Sequence, residues 1–182
     1  MRFKVVIWGI LICLVSCTKN DRMSDELKRF YGQRVVLPLD CMLYMSNQKA
    51  DYMNFQVKER NKFVIYYDST ECSSCRLKTL YKWREIMDSV SSPTKPVDFY
   101  FVFHIPRERL TEMRFLFSPY IRDFTVYIDT TRIFERSNPC LPHLSQMRSF
   151  MLNEKDTVIL VGNPVRNRSI KKMMLKMLGG SV

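Results

Sequence analysis

The chain has 182 residues, with 29 Lys and Arg against 18 Asp and Glu and a formal charge of +11. Its length suits one domain with a sizeable core, and no repeat or low-complexity segment interrupts it. The positive charge is scattered, only Lys171-Lys172 and the Arg166/Arg168 neighbourhood approaching a cluster, and together with an export leader this argues against DNA or RNA as partner.

Met1–Cys17 reads MRFKVVIWGILICLVSC, with Arg2 and Lys4 ahead of a short apolar core over Val5–Val15. The core falls short of the roughly 20 residues of a spanning helix and has the flanks of a signal peptide. Leu14-Val15-Ser16-Cys17 resembles the lipobox of bacterial lipoproteins. That resemblance implies residues 1–16 as a cleaved leader, Cys17 as the lipid attachment point and residues 17–30 as a lipidated tether. The chain is then held at a bacterial membrane in the cell envelope, its domain facing periplasm or exterior. No other apolar run is long enough to span. Loss of the leader leaves 27 basic and 18 acidic residues, a charge of about +9, for which an anionic membrane surface is a better use than nucleic acid. A generic solubilising surface is the plainer reading.

Residues 31–182 form the domain. Thr18–Arg29 is polar and leads into a weak helix, Ser24–Phe30. Tyr31–Pro38 reads as a turn and a strand closed by Pro38, and Cys41–Arg60 as a partly buried extra hairpin. Phe63–Tyr67 is a buried strand by its apolar, β-branched run. Asp68, Ser69 and Thr70 supply turn and capping residues before Cys72-Ser73-Ser74-Cys75. A helix follows, with Leu77, Leu80, Tyr81, Arg84 and Met87 on one face, apolar apart from Arg84. After a Pro-containing loop at residues 91–96 come strand Val97–Ile105, helix Pro106–Ser118 and strand Phe124–Ile128. This order fits right-handed βαβ crossovers and a mainly parallel centre. Thr130–Gln146 is irregular, with a short helix around Phe134. Ser149–Leu152 and Thr157–Val161 form a hairpin turning at Asn153–Asp156. Asn167–Leu178 is a basic helix with Ile170, Met173, Met174 and Met177 as its buried face.

Strand, Cys-x-x-Cys, helix is the context that gives the cysteine pair a redox reading. A cysteine at a helix start faces unpaired N–H groups and the positive end of the helix dipole, which favour the thiolate that attacks disulfides. A second cysteine one turn on resolves the mixed disulfide. Cys72 is the expected nucleophile and Cys75 the resolving thiol; Arg76 and Lys78 favour the thiolate, whereas Glu71 opposes it.

At these residues the chain resembles the thioredoxin superfamily, most closely its exported, membrane-anchored thiol-disulfide oxidoreductases. The resemblance covers roughly residues 60–180. It implies an α/β, thioredoxin-like fold, a central mixed sheet flanked by helices, with N-terminal extra strands. It also implies thiol-disulfide exchange on exported proteins, supplied by an upstream redox partner protein and needing no cofactor. Two departures stand out: Ser-Ser lies between the cysteines where thioredoxins have Gly-Pro, and Arg148 occupies the place of the cis-proline that faces the cysteine pair. The Arg148 guanidinium is then a candidate for stabilising the Cys72 thiolate.

Alternatives remain at this point. The pair is structural in a redox-inert binding lipoprotein, or Cys72 and Cys75 join Cys140 and His143 in metal handling, since these are zinc-ligand types. Cys41 and Cys140 are expected as buried thiols rather than a disulfide. His104 is expected to close a strand rather than to act as ligand or proton carrier.

Overall fold

A computed structural model of the chain describes residues 21–45, 59–69, 79–90, 95–119 and 124–179. The signal segment, Cys17 and the Cys72–Cys75 motif lie outside the described residues. Helix α1 covers residues 21–30 and opens earlier than the expected Ser24. There follow β1 (Leu43–Met45), β2 (Asn61–Tyr67), α2 (Leu80–Ser89), β3 (Val97–His104), α3 (Leu110–Phe117), β4 (Val126–Asp129), α4 (Ile133–Ser137), β5 (Ser149–Leu152), β6 (Val158–Val161) and α5 (Arg168–Leu178).

The six strands form one mixed sheet in the order β1-β4-β3-β2-β5-β6. β2, β3 and β4 are parallel neighbours, whereas β1 pairs antiparallel with β4 and β5 with both β2 and β6. Parallel strands need long crossovers, and those between β2, β3 and β4 contain α2 and α3. The expected α/β class and the parallel centre are both found.

Strand alternation divides the core into two layers. Phe63, Ile65 and Tyr67 of β2 face one side, with Trp83 of α2, Phe117 of α3 and Met174 of α5. Val64 and Tyr66 face the other, with Phe30 of α1, Phe134 of α4, Leu39 and Met42. Of the N-terminal extra strands, β1 caps the β4 edge. The segment expected as a strand at Tyr31–Pro38 makes only an isolated bridge, Arg34 to Thr157. Its backbone leaves the sheet because the Asn138 amide takes over, accepting from Val36 N–H (2.8 Å) and donating to Val36 C=O (2.9 Å).

Two helix faces differ from expectation. On α2 the buried residues are Leu80, Trp83 and Ile86, whereas Tyr81 is 61% exposed and Arg84 is at the surface. Trp83 decides the rotation of the helix, its indole packing against Phe63, Phe99 and Phe101. On α5 the line facing the sheet is Ile170–Met174–Leu178, at i, i+4 and i+8. Met173 and Met177, expected inside, lie one step round at 51% and 38% exposed. Met174→Ala is therefore expected to cost about 2–4 kcal/mol in chemical denaturation. Met173→Ala is expected to stay within about 0.5 kcal/mol of the parent.

Three tyrosines lie in the core layer beneath α1 and α4. Burial pushes the phenols of Tyr66 and Tyr127 up, and that of Tyr100 to about 12. A folded-state value raised above the unfolded one contributes stability that is whole below the unfolded value, 10.0, and is lost as pH rises through the folded one. Neutral and acid pH leave this contribution untouched. In an alkaline titration, tyrosinate absorbance from these three rings is expected to rise together with loss of helical ellipticity, above pH 10. Tyrosinate forming well before unfolding would sink this.

Candidate functional site

The C-terminal ends of parallel strands are where α/β sheets present ligand sites, because side chains and loops converge there. At that edge Asp68 directly follows β2, and His104 and Asp129 close β3 and β4 as register partners. The antiparallel β5 brings its N-terminal end to the same place. Arg148 immediately precedes it and accepts a hydrogen bond from Tyr66 N–H through its carbonyl (2.9 Å).

Arg148 does occupy the position in front of β5, and no peptide bond among the described residues is cis. Its guanidinium is already committed. Nη1 lies 3.1 Å from Asp68 Oδ2 and 3.2 Å from Glu135 Oε1, and Nε donates to the Pro142 carbonyl (2.9 Å). The cation also lies over the Tyr66 ring, 5.5 Å from its centroid. Among the described residues its partners are thus two carboxylates; the Cys72 thiolate that it was expected to stabilise lies outside them.

Arg132 adds a second cation, 3.9 Å from Asp68 and 3.7 Å from Glu135. Two guanidinium groups thus stand against two carboxylates. Asp129, fully buried, is compensated differently. It accepts from the backbone N–H groups of Thr131, Ile133 and Phe134 at 2.9–3.0 Å, fixing the turn into α4. That makes Asp129 a structural carboxylate, and it aims α4 so that Glu135 reaches Arg148. The buried His104 ends β3, as expected of a strand-closing residue, with Nδ1 3.7 Å from Asp68 Oδ1 and without a hydrogen bond to that nitrogen among the described residues.

Beside this network lies a cleft of about 430 Å³. Met23 and Leu27 of α1 form one wall, Gln146 and Met147 the floor before β5, and Gly162 and Ile170 the other wall. Gly162 has φ +131°, and a Cβ there would come within 2.9 Å of the Ile170 side chain. The close approach of β6 to α5 that shapes this wall requires glycine.

Of the residues singled out from sequence, Cys72, Cys75 and Cys17 lie outside the described residues. Cys41 and Cys140 are free thiols, as expected, but Cys41 is exposed and Cys140 half-buried, so neither is the buried apolar filler anticipated. Cys41 sits in a single 3-10 turn at the surface, where its neighbour Leu39, not the thiol, is the buried residue. His143 is exposed. No cluster of three metal-ligating side chains occurs among the described residues. Sequence reading took Asp68 only as a turn residue and did not single out Arg132 or Glu135. The available signal was Asp68 itself, a carboxylate at the mouth of an otherwise apolar strand.

No family model and no curated protein matches the sequence. Solved structures do. A Chlorobium tepidum protein assigned as the thiol:disulfide interchange protein DsbE superposes with a TM-score of 0.51 at 13% identity, covering 82% of this chain and 98% of that one. A protein from Bacteroides vulgatus assigned as a thiol-disulfide oxidoreductase gives 0.52 at 10% identity, over 77% and 88%. A thioredoxin-like protein from Bacteroides caccae gives 0.52 at 12% identity, over 89% of this chain and 55% of the other. Among the described residues no helix is long and apolar enough to cross a membrane. The six-stranded mixed sheet, its flanking helices and these superpositions together establish that the chain has a thioredoxin-like fold.

Proposed function

We propose that this protein carries out thiol-disulfide exchange on exported proteins through Cys72 and Cys75. The observation that carries this reading is the address of the pair. Both cysteines fall in the stretch between the end of β2 and the start of α2, on a thioredoxin-like sheet. In the forward direction the Cys72 thiolate attacks a substrate disulfide, displacing one substrate thiolate and forming a mixed disulfide. The Cys75 thiolate then attacks Cys72, releasing the second substrate thiol and leaving a Cys72–Cys75 disulfide. A thiol donor must afterwards re-reduce the pair, and an upstream redox protein of the envelope fits that need. Lipid on Cys17 keeps the domain at the membrane, and the cleft beside β5, lined by polar and apolar side chains alike, offers a place for the substrate chain.

One observation favours a second reading. The residue before β5 is an arginine held in an ion-pair network, with no cis peptide beside it. A redox-inert binding lipoprotein with a structural cysteine pair fits that geometry. Redox titration with mass-tagged alkylation of each cysteine, after a check of metal content, separates the readings. Exchange predicts that Cys72 and Cys75 interconvert together at about −120 to −270 mV. A pair still oxidised below about −300 mV is a structural disulfide and ends the exchange reading. Zinc bound at one equivalent per chain favours metal handling instead.

A further inference from the structure

We propose that the outward face of α5 docks on an anionic lipid surface. Residues 157–182 contain five basic side chains, Arg166, Arg168, Lys171, Lys172 and Lys176, and no acidic one. The sheet takes up the Ile170–Met174–Leu178 line, so Arg168, Lys172 and Lys176, spaced i, i+4 and i+8, form a row in solvent. Met173 and Met177 lie beside that row, 51% and 38% exposed. The ion pairs formed among the described residues use none of the five cations.

The contrast with α1 is informative. That helix too exposes apolar side chains, Met23 and Leu27 at 40% each, but its outer surface carries both signs of charge, Asp25 standing among Arg22, Lys28 and Arg29. A solubilising face gains nothing from charge of a single sign. Cations outside any ion pair among the described residues, flanked by flexible apolar side chains, instead match a leaflet, where anionic head groups take the cations and the acyl boundary takes the thioethers.

Chain length points the same way, here resting on the reading of Cys17 as the lipidated residue. Asp21, at the described start of α1, is four residues from Cys17, a reach of at most ~14 Å. Met23 of α1 lines the same cleft as Arg166, Asn167 and Ile170. A lipid at Cys17 therefore keeps the start of α5 close to the bilayer, so that docking costs little additional ordering.

Lysine footprinting of the full chain tests this. The exported protein is added to vesicles of phosphatidylcholine alone, or with about 30% phosphatidylglycerol, and acylation rates are read residue by residue by mass spectrometry. On anionic vesicles Lys172 and Lys176 are expected to label about threefold more slowly or less, while Lys82, exposed on α2, is unchanged. High salt and Met173→Asp/Met177→Asp should each remove the protection. Equal labelling on both vesicle types overturns the proposal, as does protection by an acidic polypeptide but not by lipid. The mass of the N-terminal fragment reports acylation of Cys17 separately. An unacylated Cys17 ends the anchoring reading, and the Lys172 and Lys176 rates then still decide the docking face.

Discussion

Replacement of Cys72 by serine is expected to bring disulfide exchange down to the uncatalysed rate, a fall of at least about a thousandfold, because a hydroxyl at neutral pH is neither ionised nor a competent thiophile. Cys75→Ser is expected to behave differently. Cys72 can still attack, but the mixed disulfide has no neighbouring thiol to resolve it, so covalent adducts with substrate accumulate. Cys41→Ala and Cys140→Ala, which touch free thiols elsewhere in the fold, should leave the rate unchanged. The measurement is reduction of a fluorescent peptide disulfide, with adducts trapped by acid quench and read on non-reducing gels. Full activity in Cys72→Ser, or adducts formed through Cys41 or Cys140, would sink the assignment. Such adducts would shift attention to the exposed Cys41.

Removing the Arg148 guanidinium is expected to be the costliest single change in the charged network. Asp68 would lose its 3.1 Å contact and Glu135 its 3.2 Å contact, Arg132 standing farther off at 3.9 and 3.7 Å, and the Pro142 carbonyl would lose its guanidinium partner. Breaking a fully buried pair from one side costs about 3–5 kcal/mol. Arg148, Asp68 and Glu135 side chains keep 11%, 14% and 23% of their exposure, so Arg148→Ala is expected to lose about 2–3 kcal/mol. Arg148→Lys keeps the charge but loses the fork that serves Asp68, Glu135 and Pro142 together, and should fall between. The decisive measurement is a double-mutant cycle by denaturant melts. Asp68→Asn in the Arg148→Ala background should cost less than it does alone, with a coupling of about 1 kcal/mol or more. Additive losses would mean that the 3.1 Å contact stabilises nothing.

This network also bears on the chemistry. Asp68 stands four residues before Cys72, and Arg148 precedes β5, so one ion pair joins the entry to the cysteine segment with the strand beside it. If the pair cycles, Arg148→Ala should change its exchange rate as well as the melting midpoint. A binding module would show the stability loss alone. Both readouts come from one variant, which makes Arg148 informative between the two functional readings.

Much of the fold was legible in the sequence because its strands are strongly marked. Phe63–Tyr67 and Val97–Ile105 are runs of aromatic and β-branched residues that no water-exposed element accommodates, and both form central strands, β2 and β3. Crossover lengths then imposed the parallel centre. The position of Arg148 directly ahead of β5 was likewise readable by counting back from the hairpin. What periodicity left open was the rotation of each helix. On α5 several faces score alike when methionines lie at 170-series neighbours, and only contact with the sheet selected Met174 over Met173. On α2 the size of Trp83 outweighed the stripe through Tyr81 and Arg84, because Phe63, Phe99 and Phe101 leave a slot for an indole.

The sequence by itself thus determined the α/β class, the parallel centre and the place of the cysteine pair between a strand and a helix, since those depend on local runs and spacings. Only the tertiary structure decided what Arg148 does. Its partners Asp68 and Glu135 lie 80 and 13 residues away along the chain, and no local pattern records which carboxylates a guanidinium will meet. The charge balance at the strand ends is a property of the closed sheet, where β2, β5 and α4 converge.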